Sequence, residues 1–376
     1  MELSALYKML GDYEQATAMA EEVITILQAT ETEDSPELAN ALTHLAGICQ
    51  IQQNYPKAEK LFREGLEMQQ STFGKYHPFV AETMNQLAIV LFLQGDAEEA
   101  EMLHRQAMEA IRKSIGESTL PYLQSAGYLA SLHEATGNLE AAEPLLRENV
   151  NLVKRAVGPD HPAQISYLIR LGDHCRSQNN IEEAESLYQQ AIRISRTALG
   201  EEDPSLGSLL SRVGEIQQER GDFSHAESSF REALQIDRQY LGSYHPETVS
   251  DLNHLADLCA SADRQSEALT LWEQALASEQ VMLPAVRAMS NDTMRAIAFQ
   301  SFYRTYEKYL SVVLASGRES KDACRAALDV VLKRKLIWIE ILGRAREERL
   351  LTQYTQHNDL AAELGEFMPE LGVQES

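Results

Sequence analysis

The chain has 376 residues, and 44% of them are hydrophobic, so it carries enough apolar surface for a sizeable core. Asp and Glu total 57 against 33 Lys and Arg, and the resulting net charge of -24 would repel a phosphate backbone, so general nucleic-acid binding is not expected. No run of about 18 apolar residues and no basic N-terminal stretch followed by an apolar one occurs, which argues against a membrane span and a secretory signal.

A strict 42-residue period runs through most of the chain. An alanine recurs at this interval at seven positions: Ala16, Ala58, Ala100, Ala142, Ala184, Ala226 and Ala268. Glycines and prolines keep the same register, at Gly74, Gly116, Gly158, Gly200 and Gly242 and at Pro36, Pro78, Pro162, Pro204 and Pro246. A period this regular indicates one structural unit that is copied and stacked along the chain.

The repeat from Pro78 to Gly116 shows what one unit predicts. Proline suits the first turn of a helix, so a first helix begins near Pro78. Its apolar residues follow at spacings of three and four: Met84, Leu87, Ala88 and Leu91. The turn Gly95-Asp96 ends this helix, a second helix carries Ala100, and Gly116 is expected to be its left-handed cap. Each unit is therefore predicted to be an antiparallel helical hairpin.

This register resembles the tetratricopeptide repeat, in which a Leu-Gly/Ala pair in the first helix precedes an alanine, an aromatic residue and a further alanine in the second. The aromatic position here reads Phe62, His104, Leu146, Tyr188, Phe230 and Trp272. Segments 142–146 and 158–162 resemble the 42-residue variant of kinesin light chains and many bacterial repeat proteins. The resemblance covers residues 1–283 and implies an all-α, right-handed superhelical solenoid whose first helices line a concave groove.

The register divides the chain into three parts. Residues 1–283 are expected to form an array of about seven units. The first is shortened, since only ten residues precede Gly11, and both a capping repeat and an array that begins inside a longer one would look this way. After Pro284 the register stops, and residues 284–350 are expected to form two long capping helices, over 291–316 and after Ser320. Residues 351–376 predict an acidic, flexible tail.

One segment of the second part carries a further resemblance. Residues 328–335 look like the region that joins such repeats to a caspase-like peptidase of the CHAT family in bacterial multidomain proteins. Nothing after this segment reads as the strands of that peptidase domain, so no catalytic residue is carried over. The resemblance leaves one alternative function open, the regulatory or sensing half of a CHAT-type peptidase system whose catalytic domain is absent from this chain.

The residues that could support catalysis or metal binding have simpler structural explanations. His77, His161 and His245 each precede a periodic proline, and alternate repeats lie several helices apart, so these rings are expected to fix turns and not to share an ion. Cys324 has no evident base beside it, which favours packing over nucleophilic catalysis. Phosphate-binding loops and the GxSxG motif do not occur. We therefore predict a non-enzymatic protein without a cofactor or bound metal.

The remaining cysteines also follow the register. Cys49, Cys175 and Cys259 share one position, four residues after the periodic leucine of the first helix, and no CxxC motif occurs. This pattern predicts reduced core residues and a cytoplasmic location.

Candidate binding residues lie on the first helices. One polar row stands immediately before the periodic apolar residue: His44, Gln86, Tyr128, Arg170, Arg212 and His254. Guanidinium and amide groups can hold the carboxylates or backbone of an extended peptide. We therefore expect peptide binding by Asn85, Tyr128, Arg170, Arg212, Asn253 and His254.

Two alternatives stay open for this surface. Acids follow three of the candidates by three residues, at Asp173, Glu215 and Asp257, so the charged members of the row could form ion pairs within each helix. Ile89, Phe92 and Leu93 make the third repeat apolar, either as a side-chain pocket or as contacts with the second helices. The function predicted from these patterns is a cytoplasmic scaffold that binds a protein or peptide in its groove, with self-association through the exposed end of the array as a further alternative.

Overall fold

The computed structural model describes residues 1–30, 35–201, 203–288 and 292–316. Within these ranges the regular structure is helical, apart from one 3-10 turn at Pro162–Gln164. The helices are α1 (Glu2–Met9), α2 (Tyr13–Thr30), α3 (Pro36–Ile51), α4 (Tyr55–Phe73), α5 (Pro78–Gln94), α6 (Ala97–Ser114), α7 (Leu120–Ala135), α8 (Leu139–Val157), α9 (Ile165–Ser177), α10 (Ile181–Ala198), α11 (Ser205–Glu219), α12 (Phe223–Tyr240), α13 (Pro246–Ser261), α14 (Gln265–Ala288) and α15 (Asp292–Ser316).

The helices pair into hairpins, as the 42-residue period predicts. Each hairpin consists of an odd-numbered first helix and the following second helix, from α1 and α2 to α13 and α14. First helices of successive hairpins also touch, in the runs α3–α5–α7 and α11–α13. The chain separates into two compact units, residues 1–201 (unit 1) and residues 202–376 (unit 2), each with its own apolar core.

Small side chains bring the two helices of each hairpin together. All seven periodic alanines are fully buried. The residues at the aromatic position are at most 2% exposed, including the non-aromatic Leu146. Gly172 shows how close this packing is, because a Cβ atom there would lie 2.5 Å from Tyr188 Cε1. The predicted buried stripe of the first helices and its partner stripe on the second helices are therefore confirmed.

The histidines before the periodic prolines cap the first helices. The Nδ1 atoms of His77, His161 and His245 accept hydrogen bonds from the backbone N–H two residues ahead, at 3.1 to 3.3 Å. Each cap satisfies an amide that the first turn of a helix leaves without a partner. These residues fix turns, as the sequence indicates.

The glycine caps differ from the expected geometry. Gly116 has a positive φ of 93°, which a left-handed cap requires. At the equivalent Gly74 and Gly158, however, ψ is 154° and 167°, so the backbone is extended and not left-handed helical. This combination of positive φ and extended ψ is essentially confined to glycine. The left-handed conformation lies instead in the turn inside each hairpin, for example at Gly95, with φ 99° and ψ 3°.

In the C-terminal part of unit 2, the described residues end with one helix beyond the last hairpin, and the predicted pair of capping helices stays a prediction. α14 continues through Pro284 to Ala288, so the repeat register ends inside a helix. α15 follows, and Tyr309, Leu310 and Val313 are buried in the core formed by the last hairpin. The expected second capping helix, Cys324, segment 328–335 and the acidic tail lie outside the described residues.

Candidate binding surface

Asn85 is part of a buried polar network. Its side chain is 4% exposed. The amide Nδ2 donates to Ser125 Oγ on α7 at 2.7 Å, and Oδ1 lies 2.8 Å from His104 Nδ1 on α6. Because the amide oxygen can only accept, Nδ1 carries the imidazole proton. Burial lowers the pKa of His104 to about 4, so the ring is neutral near pH 7.

Asn253 makes a similar contact in unit 2. Its Nδ2 donates to Thr305 Oγ1 on α15 at 2.9 Å. Ser211, one repeat earlier in the register, donates to Asp251 Oδ1 on α13. Asn85, Ser211 and Asn253 therefore each connect a first helix to the helix that takes the next first-helix position. The two asparagines predicted to bind a peptide have internal hydrogen bonds, and their role toward a ligand stays a prediction.

Tyr128 and Arg170 are the partly exposed candidates of unit 1. Tyr128 is 37% exposed, and its ring stacks on His104 with centroids 5.9 Å apart. The Arg170 Nη2 atom donates to the Gly127 carbonyl at 2.6 Å and to Ser131 Oγ, and the side chain stays 35% exposed. Gly127 makes room for it, since a Cβ there would lie 2.7 Å from Arg170 Nη1. The guanidinium is thus held in one position and still reaches the surface.

Arg212 and His254 occupy the same row in unit 2. Both side chains are half-buried. The His254 ring stacks on Phe230 with centroids 4.7 Å apart and an angle of 2° between the rings. Its Nε2 lies 3.4 Å from a carboxylate oxygen of Glu215, on the preceding first helix. Phe230 covers one face of the His254 ring and Glu215 contacts its Nε2, so the neighbouring hairpin fixes the position of the ring.

The acids beside the row bond to neighbouring helices. The Tyr188 hydroxyl donates to Asp173 at 2.6 Å, and Lys308 on α15 pairs with Asp257. His174 Nδ1 lies 2.8 Å from Glu134 Oε1 on the preceding first helix. His254 contacts Glu215 on the preceding first helix, and Asp257 pairs with Lys308, so these ion pairs join neighbouring helices.

The apolar candidates divide between core and surface. Leu93 is 48% exposed, whereas Phe92 is half-buried and packs against the core of unit 1. Ile89 is also half-buried. Phe92 therefore contacts the core and Leu93 lies on the surface, and a side-chain pocket in this segment stays a prediction.

A regular set of ion pairs on the second helices was not predicted. Arg63, Arg147 and Arg231 recur every second repeat, and each contacts the Glu four residues earlier and the Glu 36 residues later: Glu59 and Glu99, Glu143 and Glu183, Glu227 and Glu267. The arginine side chains are 40% to 49% exposed, so each pair is worth at most about 1 kcal/mol. The 84-residue spacing was the signal in the sequence.

A metal centre, a membrane-spanning helix and a reactive thiol are other features that bear on the described residues. Among them, no group of three His, Cys, Asp or Glu side chains is arranged to hold a metal ion. None of the helices in these ranges is both long and apolar enough to cross a membrane. Cys49, Cys175 and Cys259 are buried free thiols, and burial raises the pKa of Cys175 to about 11, which makes it a poor nucleophile.

Comparison with known protein families decides the relationship that the register suggests. A tetratricopeptide repeat model matches residues 37–113, 122–197 and 205–278, and a second model of the same repeat matches residues 1–37. The chain belongs to the tetratricopeptide repeat family. Proteins of this family generally bind other proteins and are generally non-catalytic. No curated protein matches the chain.

One solved structure gives the same picture of the fold for this tetratricopeptide repeat protein. BtubC (BKLC) from P. vanneervenii is similar with a TM-score of 0.52 and 22% identity, over 62% of this chain and 94% of that chain. A putative kinesin light chain with nearly identical TPR-like repeats from Podosopora anserina has 24% identity and a TM-score of 0.46, over 54% and 96%. The C-terminal part of a TPR repeat-containing protein from Cytophaga hutchinsonii has 13% identity and a TM-score of 0.48, over 78% and 97%. At 22% identity, the similarity to BtubC concerns the fold alone.

Proposed function

We propose that this tetratricopeptide repeat protein is a non-enzymatic scaffold that binds an extended protein segment on its first-helix surface. The observation that carries the proposal is the pair Tyr128 and Arg170 in unit 1, whose side chains are held in place by neighbouring hairpins and remain partly exposed. His254 in unit 2 is held in the same way by Phe230 and Glu215. Side chains fixed before binding lose little conformational entropy when a ligand arrives, which favours affinity.

Unit 1 offers the more complete surface. Leu93 on α5 provides an exposed apolar contact, and Tyr128 on the adjoining α7 provides an aromatic face and a hydroxyl. Tyrosine and arginine dominate binding energies at protein interfaces, because they combine apolar area with polar groups. A segment with a large apolar side chain near Leu93 and backbone carbonyls near Tyr128 and Arg170 fits this chemistry.

Asn85 and Asn253 contribute differently in this proposal. Their amides hold successive helices together, so they set the geometry of the surface, and direct contact of either asparagine with a ligand stays a prediction. Arg212 has the same register position in unit 2, and it is proposed as a ligand contact of that unit. The cytoplasmic location expected from the sequence belongs to the same proposal.

The test uses peptides selected against the full chain from a random display library. Leu93→Asp and Tyr128→Ala are each expected to weaken a selected peptide by about tenfold or more, as for central contacts of an interface. Met102→Asp is the matched control, because Met102 is a 55% exposed apolar residue on the second helix α6. Selected peptides that keep their affinity in both first-helix variants and lose it in Met102→Asp would place the binding surface on the second helices and refute the proposal.

A further inference from the structure

Two carboxyl groups are buried at the junction between the hairpin α11–α12 and the hairpin α13–α14. Asp237 lies near the end of α12 and Asp251 in the first half of α13, and each is 1% exposed. The free energy of burying an ionised carboxylate is unfavourable unless the charge is paired or removed by a proton. Both groups belong to unit 2, and the peptide-binding proposal uses neither.

Of the four oxygen atoms in the two carboxyl groups, one accepts a hydrogen bond from a donor among the described residues. Ser211 on α11 donates to Asp251 Oδ1 at 2.5 Å. Among the described residues, no donor reaches Asp237 Oδ1, Asp237 Oδ2 or Asp251 Oδ2. The two side chains occupy the register positions of Gln69 and Thr83, which form a hydrogen bond of 2.7 Å in unit 1, and each carboxyl group perturbs the pKa of the other. Since carboxylate oxygens only accept, a hydrogen bond between them requires that one of the groups carries a proton.

The enclosure of Asp237 is tight. Its Oδ1 lies so close to the backbone of Gly207 on α11 that a Cβ atom at Gly207 would be 1.8 Å away. The missing side chain of Gly207 therefore makes the space for this carboxyl group. Such a closely packed site suits a proton and not a hydrated cation.

Charges around the pair also favour a bound proton. Desolvation raises the pKa of Asp251 to about 8 and that of Asp237 to about 6. The charge of Glu247 at the start of α13 contributes to both increases, whereas the Ser211 hydroxyl lowers the pKa of Asp251 and His245 lowers that of Asp237. The contacts from α11 are the uncharged Ser211 and Gly207. The pair therefore holds about one proton near neutral pH.

We propose that Asp237 and Asp251 form a proton-binding pair that makes the stacking of the last two hairpins depend on pH. With the proton present, the two groups share a hydrogen bond across the junction. When the proton leaves, two negative charges face each other in a buried space, and the junction weakens.

The direction in which pH changes the stability of the junction follows from the pKa values of the two groups in the folded and unfolded chain. Both folded values lie above the unfolded value of 3.8, so the stabilisation is complete below about pH 4 and is lost as the pH rises through about 6 and then about 8. Between pH 6 and pH 8 the two carboxyl groups together bind one proton when the junction is closed and none when the junction is open. The opening equilibrium constant should then rise about tenfold for each pH unit.

The chain contains its own control for this effect. Gln69 and Thr83 stand 168 residues before Asp237 and Asp251, at the same register positions in unit 1. They are 2% and 4% exposed, and the Thr83 hydroxyl donates to Gln69 Oε1 at 2.7 Å across the junction of α4 and α5. The same contact is thus made there by groups that do not titrate.

Hydrogen exchange of the full chain, resolved by peptide and corrected for the intrinsic pH dependence of exchange, tests the proposal. Between pH 6 and pH 8 the protection factors of peptides from α12 and α13 are expected to fall about a hundredfold in total. Peptides from α4 and α5 should show no comparable fall. In Asp251→Asn, whose amide mimics the protonated acid, the fall should disappear.

The native chain alone can refute the proposal. Constant protection of α12 and α13 from pH 6 to pH 8, or an equal loss in α4 and α5, would show that the carboxyl pair does not control the junction. If Asp251→Asn does not fold, the double variant Asp237→Gln, Asp251→Thr transfers the pair from unit 1. An unchanged pH dependence in either variant would overturn the assignment of the proton to this pair.

Discussion

The two units remove buried charge in opposite ways. In unit 1, His104 is buried with its imidazole neutral, because burial lowers its pKa to about 4. In unit 2, Asp237 and Asp251 are buried with a proton retained, because burial raises their pKa values. The same physical effect, desolvation, therefore makes unit 1 sensitive to acid and unit 2 sensitive to base. Repeats with one backbone pattern can differ in pH response through a few core residues.

The largest effect expected from this comparison is the acid response of unit 1, and its absence would contradict the comparison. The folded pKa of His104 lies below its ordinary value of 6.5, so the stabilisation is present above pH 6.5 and is lost as the pH falls toward 4. The loss should reach about 3 kcal/mol at most. Hydrogen exchange of peptides from α5, α6 and α7 between pH 7 and pH 4 measures it.

His104→Gln provides the matched variant for this response. Its side-chain amide can donate to Asn85 Oδ1 as the imidazole does, but it does not titrate. The variant should keep the protection of α5 to α7 nearly constant over the same pH range. An acid response of equal size in His104→Gln would assign the effect to other groups.

A smaller effect is expected from the glycine that admits the carboxyl pair. Gly207→Ala would place a Cβ atom 1.8 Å from Asp237 Oδ1, so the carboxyl group must move, at a cost of about 1 to 3 kcal/mol in the free energy of unfolding of unit 2. Denaturant unfolding, followed by hydrogen exchange in α11 and α12, measures this loss. In unit 1 the same register position is Ala39, which is fully buried.

Shortening the carboxyl side chain is the control for that clash. Ser195 occupies the position of Asp237 one repeat earlier and is also fully buried. Asp237→Ser should therefore recover much of the stability that Gly207→Ala loses. If the double variant is no more stable than Gly207→Ala alone, the loss does not come from contact with Asp237.

The sequence predicts the repeated features of the fold and misses the specific ones. The alanine positions, the histidine caps and the first-helix pattern follow from local geometry that every repeat shares. The partners of Asn85 lie 19 and 40 residues away, and they depend on which polar residues the adjoining hairpins present. When each helix is considered alone, Asp237 on α12 and Asp251 on α13 look like surface residues. Only the stacking of two hairpins buries them.

The smallest effect concerns the turns inside the hairpins. Gln53 in unit 1 and Asp263 in unit 2 share one register position, and both have a φ of 61°, a left-handed conformation that glycine adopts at Gly95 in the same position. Gln53→Gly should raise the free energy of unfolding of unit 1 by about 1 kcal/mol. Asp263→Gly should gain less, about 0.5 kcal/mol, because aspartate tolerates this conformation better than glutamine. Denaturant unfolding of the two variants compares them, with Gly95→Ala as the reverse control expected to lose about 1 kcal/mol. Equal or negative changes at both sites would mean that these turns are stabilised by contacts beyond their backbone conformation.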